Sequence, residues 1–209
     1  VDKKRMKILI ACEFSGTVRD AFIGGGHDAM SCDLEPASVL GPHYQGNVMD
    51  IINDGWDLMI AHPPCTYLTV TGNKWFKPEY AGRFPTRHQD REDAADFFMA
   101  LANANIPKIA IENPIGVMST RYKKPSQVIH PWQFGHEASK STCLWLKGLP
   151  LLQPTNVVSK GEFVTYKSGK RMTKWYADAA SLSPKERAKV RNTTFQGIAN
   201  AMATQWGAL

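Results

Sequence analysis

A chain of 209 residues with 43% hydrophobic and 21% charged residues is long enough for one sizeable core and has a globular balance, which excludes a disordered chain. No apolar run approaches the roughly 20 residues that cross a bilayer, and the basic start "VDKKRMKILIACEF" runs into a strand-like stretch containing Glu13, so neither a signal peptide nor a membrane anchor is expected. With 25 basic against 19 acidic residues and a formal charge of +6, the chain favours an anionic partner; a single cytoplasmic domain over 1–209 is the plain expectation.

The first predicted element is a strand in "MKILIACEF" (6–14), followed by a turn at Ser15 and Gly16 and a helix that the glycines at 24–26 stop. "HDAMSCDLEP" is a second strand ending in Asp33 before Pro36. "WDLMIAHPPC" is a third, cut short by Pro63 and Pro64. After the long polar and aromatic stretch 66–90, "DREDAADFFMALANAN" has the spacing of an amphipathic helix. "IPKIAIENP" is a fourth strand, and "STCLWLKGLPLL" another. "GEFVTYKSGKRMTKWY" reads as a hairpin turning at Ser168 and Gly169. From Ser183, a cap followed by Pro184, one or two helices close the chain. Strands alternating with helices predict an α/β fold, a Rossmann-like mostly parallel sheet with helices on both faces.

In such a sheet ligands bind beyond the carboxyl ends of the strands, so polar residues at strand ends are the candidates. Cys12, Glu13, Phe14, Ser15 and Gly16 form the loop after the first strand, and Asp33 ends the second. A small-residue turn before a helix, with an acid able to bond two ribose hydroxyls, fits a nucleoside-bearing cofactor. Pro63 and Pro64 remove two donors and fix two φ angles, presenting Cys65 in one direction, as a nucleophile requires. Glu112 and Asn113 end the next strand; a carboxyl in a partly buried cleft has its pKa raised and can donate a proton. The four cysteines lack paired spacing and are expected as free thiols, and no structural metal is expected, although His62 with Cys65 and His130 with His136 are spaced like ligands.

In their order along the chain, these motifs resemble those of the cytosine-5 DNA methyltransferases, as a compact, phage-type member. The resemblance implies the S-adenosylmethionine-dependent methyltransferase fold, with S-adenosylmethionine as cofactor. "CEFSGTVRDAF" is similar to the family's first motif, and Asp33, with Leu34 beside it, to the acid that holds the ribose. "QGNV" resembles the adenine-contacting motif, with Asn47 in place of an aspartate and Val48 beside it. His62 and Pro63 would also border the cofactor. Cys65 matches the nucleophile, Glu112 and Asn113 the Glu-Asn-Val motif with Pro114 for valine, and Lys140 in "ASKSTCLWL" the first arginine of the Gln-x-Arg-x-Arg strand. Thr142 replaces the second. "QGIANAM" resembles the closing Gly-Asn motif, placing Asn200 and Ala201 at the cofactor pocket.

The family's recognition domain is here reduced to an insertion at about 150–182, so specificity is low or comes from a partner protein or an oligomer. The implied partner is cytosine-containing DNA, single- or double-stranded, with no membrane; the implied location is the host cytoplasm if the chain is phage-encoded. The chemistry wants these residues independently: a thiolate adding to carbon 6 of cytosine turns carbon 5 into a nucleophile, and an acid at ring nitrogen 3 stabilises the adduct. A duplex hides the ring face, so the base would be flipped out, with stretch 66–90 closing over it and Lys74, Lys77, Arg83 and Arg87 on phosphates. An amino methyltransferase acting on cytosine or adenine shares the double proline, but His62 and Cys65 stand where it needs an acceptor and an aromatic. A non-catalytic cofactor- and nucleic-acid-binding module is the alternative outside enzymes.

Overall fold

The computed structural model describes residues 4–209; part of the basic start lies outside the described residues. The strands are β1 (Lys7–Ala11), β2 (Asp28–Asp33), β3 (His43–Gln45), β4 (Leu58–Ala61), β5 (Lys108–Pro114), β6 (Gln127–Ile129), β7 (Thr142–Lys147), β8 (Phe163–Thr165) and β9 (Arg171–Thr173). The helices are α1 (Thr17–Gly24), α2 (Arg87–Ala102), α3 (Met118–Arg121), α4 (Lys174–Ala180), α5 (Pro184–Asn192) and α6 (Gln196–Trp206).

Seven strands form one sheet in the order β3-β2-β1-β4-β5-β7-β6. β3, β2, β1, β4 and β5 run parallel, while β7 is antiparallel to both β5 and β6. Alternation along the strands decides which face each side chain covers. Leu9, Ala11, Met59, Ala61, Ile109 and Ile111 pack on one face with Phe98 and Leu101 of α2. Ile8, Ile10, Leu58, Ile60 and Ala110 pack on the other with Phe22 of α1 and Met202 and Trp206 of α6. Helices thus cover both faces, and the fold class is the Rossmann-like one expected.

Gly24, Gly25 and Gly26 end α1 as read, Gly26 taking the left-handed φ of 87°. Ser183 caps α5 through the Glu186 amide, with Pro184 at its first position. The hairpin of β8 and β9 turns through Tyr166–Lys170, where Gly169 has φ 79°. Three expectations are corrected. The strand read across 141–152 stops at Lys147, because Gly148 takes φ 63° and Pro150 follows. Stretch 66–90 is not an open lid: it holds short 3-10 helices at Val70–Phe76 and Pro78–Tyr80, and α2 begins at Arg87. Arg91 pins it, with its guanidinium 3.4 Å from the Phe76 ring centre and bonds of 2.8 Å to the Tyr67 carbonyl and to Asn73 Oδ1. Arg87, expected on a phosphate, is buried among Tyr67, Phe76 and Phe84.

Among the described residues, no helix is long and apolar enough to cross a membrane.

Candidate active site

Parallel pairing of β4 with β5 matches Ala61 to Ile111, so His62 and Glu112 emerge side by side at the carboxyl edge. His62 Nδ1 lies 3.2 Å from Glu112 Oε2, and both side chains are only 12% exposed. Burial alone would raise the carboxyl's pKa; the hydrogen bond and charge of His62, the charge of Lys140 and a hydrogen bond from Thr194 outweigh it and hold Glu112 at about 2. The neutral, proton-donating Glu112 expected from burial is therefore corrected: in the free chain it is ionised. Burial lowers the His62 pKa, but bonding to Glu112 and the charges of Glu112 and Glu13 raise it further, and the net shift is upward despite Lys140. Both shifts favour the proton on the imidazole rather than on the carboxylate. His62 Nε2 is buried and has no hydrogen-bond partner among the described residues.

Cys65 follows the two prolines, and its carbonyl accepts from the Leu68 and Thr69 amides, so the chain coils immediately after it. Burial pushes the thiol's pKa up; Lys140 opposes that, and Glu112 adds to it. Asn113 is buried, and its Nδ2 donates to the Pro63 carbonyl at 2.8 Å, fastening the proline turn to β5. Lys140 Nζ donates to the Arg191 carbonyl at 3.0 Å, which ties the last turn of α5, and with it the segment leading to α6, to the same place. That segment brings Thr194, a site residue with no local sequence signal. Thr142, by contrast, is buried in β7 opposite Pro114.

The loop after β1 stands beside the end of β2, since Ala11 pairs with Cys32 and therefore Cys12 adjoins Asp33. Cys12 is the one non-glycine residue with positive φ among the described residues, at 59°. Such strain persists where surroundings impose it and clusters at ligand sites. Burial and neighbouring Asp33 push its thiol up to about 12, so it is no nucleophile. Glu13 is buried and committed: its carboxylate accepts from the Val18 and Arg19 amides, at 2.7 and 3.2 Å, and from the Ser15 hydroxyl. It caps α1 in place of the left-handed Gly16. Phe14 contributes a backbone carbonyl to the Ser38 amide.

Leu34, 75% exposed, offers an apolar surface beside Asp33, whose Oδ1 accepts from the Glu35 amide. Asn47 Oδ1 accepts from the Met49 amide, and Val48 is buried in the core. On α6, Ala201 is buried, while Asn200 accepts from Gln196 at 2.9 Å and lines a cleft between α1 and α6 together with Asp20 and Gly24. Among the described residues no three potential ligands are grouped for a metal. His136 accepts instead from the Gly197 amide at 2.9 Å.

No family model matches the chain, and no curated protein does. Among solved structures, the S. pombe Dnmt2 methyltransferase is similar at 16% identity with a TM-score of 0.42. The match covers 71% of this chain and 51% of that one, so the chain spans about half the length of that structure.

Proposed function

We propose that the chain is a methyltransferase that uses S-adenosylmethionine to methylate carbon 5 of cytosine in DNA, through a covalent bond to Cys65. The observation that carries this is the convergence of Cys65, the His62–Glu112 pair and Lys140 at the tips of β4 and β5. A rigidly mounted thiol, a cation beside it and a carboxyl that exchanges a proton are the groups needed to add to a ring carbon and stabilise the adduct. A metal or a phosphate-cradling loop is not needed for that.

The cofactor fits the neighbouring edge. The strained Cys12 loop and Asp33 would face its ribose and Leu34 its flat base, with Glu13 holding the loop rather than the ligand. When bound, it supplies an electrophilic methyl group. Cys65 adds to carbon 6, Glu112 serves ring nitrogen 3, Lys140 favours the thiolate, and Asn113 keeps the proline turn in place. The exposed basic hairpin of β8 and β9, with Lys167, Lys170 and Arg171, supports a nucleic-acid partner through phosphate attraction.

Incubation with labelled S-adenosylmethionine and cytosine-containing DNA tests the reading. The expected result is label on carbon 5, trapping of the protein by 5-fluorocytosine DNA, and loss of both in Cys65→Ser. Label on an exocyclic nitrogen, or activity that survives Cys65→Ser, overturns it; cofactor and DNA binding without turnover points to the non-catalytic module.

A further inference from the structure

We infer that His62 is the proton store of the site: its imidazole, 3.2 Å from Glu112, supplies through that carboxylate the proton that ring nitrogen 3 takes up when Cys65 adds to carbon 6. The inference rests on the cytosine reading and assigns to His62 a role apart from the cofactor.

Three observations place it there. The strand register sets His62 directly opposite Glu112, which is one residue beyond Ile111 as His62 is beyond Ala61. Both side chains are nearly enclosed, so their proton is exchanged with each other more readily than with bulk water. The charged groups facing the imidazole come from several elements: Glu112 on β5, Glu13 from the β1–α1 loop and Lys140 ahead of β7. The two carboxylates outnumber the one ammonium, which favours the imidazolium. An isolated carboxylate held ionised in this setting has no proton to give, so the neighbour must hold it.

The Cys65 thiol loses its proton to water, and its sulfur bonds to carbon 6. The carbon 5–carbon 6 π pair moves to carbon 4–carbon 5 and the carbon 4–nitrogen 3 π pair to nitrogen 3; His62 Nδ1 passes its proton to the Glu112 carboxylate, and the acid so formed gives it to nitrogen 3, leaving His62 neutral and Glu112 again ionised. After carbon 5 has taken the methyl group from the sulfonium, whose sulfur keeps the bonding pair as a neutral thioether, the carbon 5 proton leaves to water, its pair re-forms the carbon 5–carbon 6 double bond and the sulfur–carbon 6 bond breaks with its pair returning to Cys65. Nitrogen 3 then returns its proton to the pair. Throughout, Nε2 keeps its hydrogen, and because no acceptor among the described residues reaches it, it remains available to an acceptor on the bound ligand. His62 is thus a positioning and proton-holding residue acting through Glu112.

The test has two parts. Nitrogen-15 NMR of histidine-labelled free protein should show His62 as imidazolium at pH 7, titrating at lower pH in Glu112→Gln; a neutral His62 at pH 7 overturns the inference whether or not the enzyme is active. Methyl transfer by His62→Gln, which keeps a donor toward Glu112, should be on the order of 100-fold slower at pH 7. Its rate should also lose the alkaline decline of the wild type, with cofactor affinity by calorimetry unchanged. A variant with wild-type rate and pH profile overturns the proton role while leaving the Cys65 chemistry standing. Methylation of an exocyclic nitrogen by the wild type removes the cytosine-5 reading and this inference together.

Discussion

Glu112 and Asn113 are adjacent in β5 and do opposite things. Asn113 is neutral and buries a bond to the Pro63 carbonyl, whereas Glu112 carries a charge that only its neighbours make tolerable. The charge has a pH signature. A carboxyl held at about 2 instead of 4.5 adds stability that is complete above pH 4.5 and is lost as pH falls toward 2. His62, raised above 6.5, adds stability that is complete below pH 6.5 and is lost as pH rises through its folded value. Denaturant midpoints measured from about pH 3 to about pH 9 should therefore fall on both sides for the wild type, and both declines should flatten in Glu112→Gln. Equal slopes in the two proteins would show that the pair is not coupled to folding.

At the scale of elements, the arginine-and-aromatic packing of 66–90 makes a wall out of what reads as a loop. Arg91→Ala removes two hydrogen bonds and the stacked Phe76 contact, and should cost about 1–3 kcal/mol. Hydrogen exchange should quicken at the amides of Leu68 and Thr69 next to the Cys65 carbonyl, while the amides of β1 keep their protection. Uniform loosening of the whole sheet would contradict a local role. The strands β1, β4 and β5 are legible in the sequence because their buried stretches are apolar without interruption, and β2 because its Ala29–Cys32 stretch ends at Asp33 shortly before Pro36. β3 and β6 are not: each is three residues long, too short for a period to show. The same contrast holds at the site. Cys65 and Glu112 announce themselves by ending strands, but the His62–Glu112 pairing needs the register between β4 and β5, and Thr194 arrives from a segment far beyond Glu112 in the chain.

For the whole molecule, the sheet is assembled out of chain order. β7 lies between β5 and β6, so the fifth strand has no partner on that side until the chain reaches Lys147. Helix α6 comes later still, yet its Trp206 and Met202 are fully buried against β1, β4 and α1 near the start of the chain. Removing residues 196–209 would expose Ile8, Ile10 and Phe22 to water, several side chains each worth roughly 1.5–3 kcal/mol, against a typical total of about 5–15 kcal/mol. The shortened chain should not fold, as circular dichroism melts and resistance to protease would show; a cooperative melt would mean that α6 is dispensable. The interleaving of first and last segments also has a meaning for synthesis. Translation delivers α6 only after everything it covers, so a nascent chain carries the apolar face of β1, β4 and α1 uncovered until α6 is made.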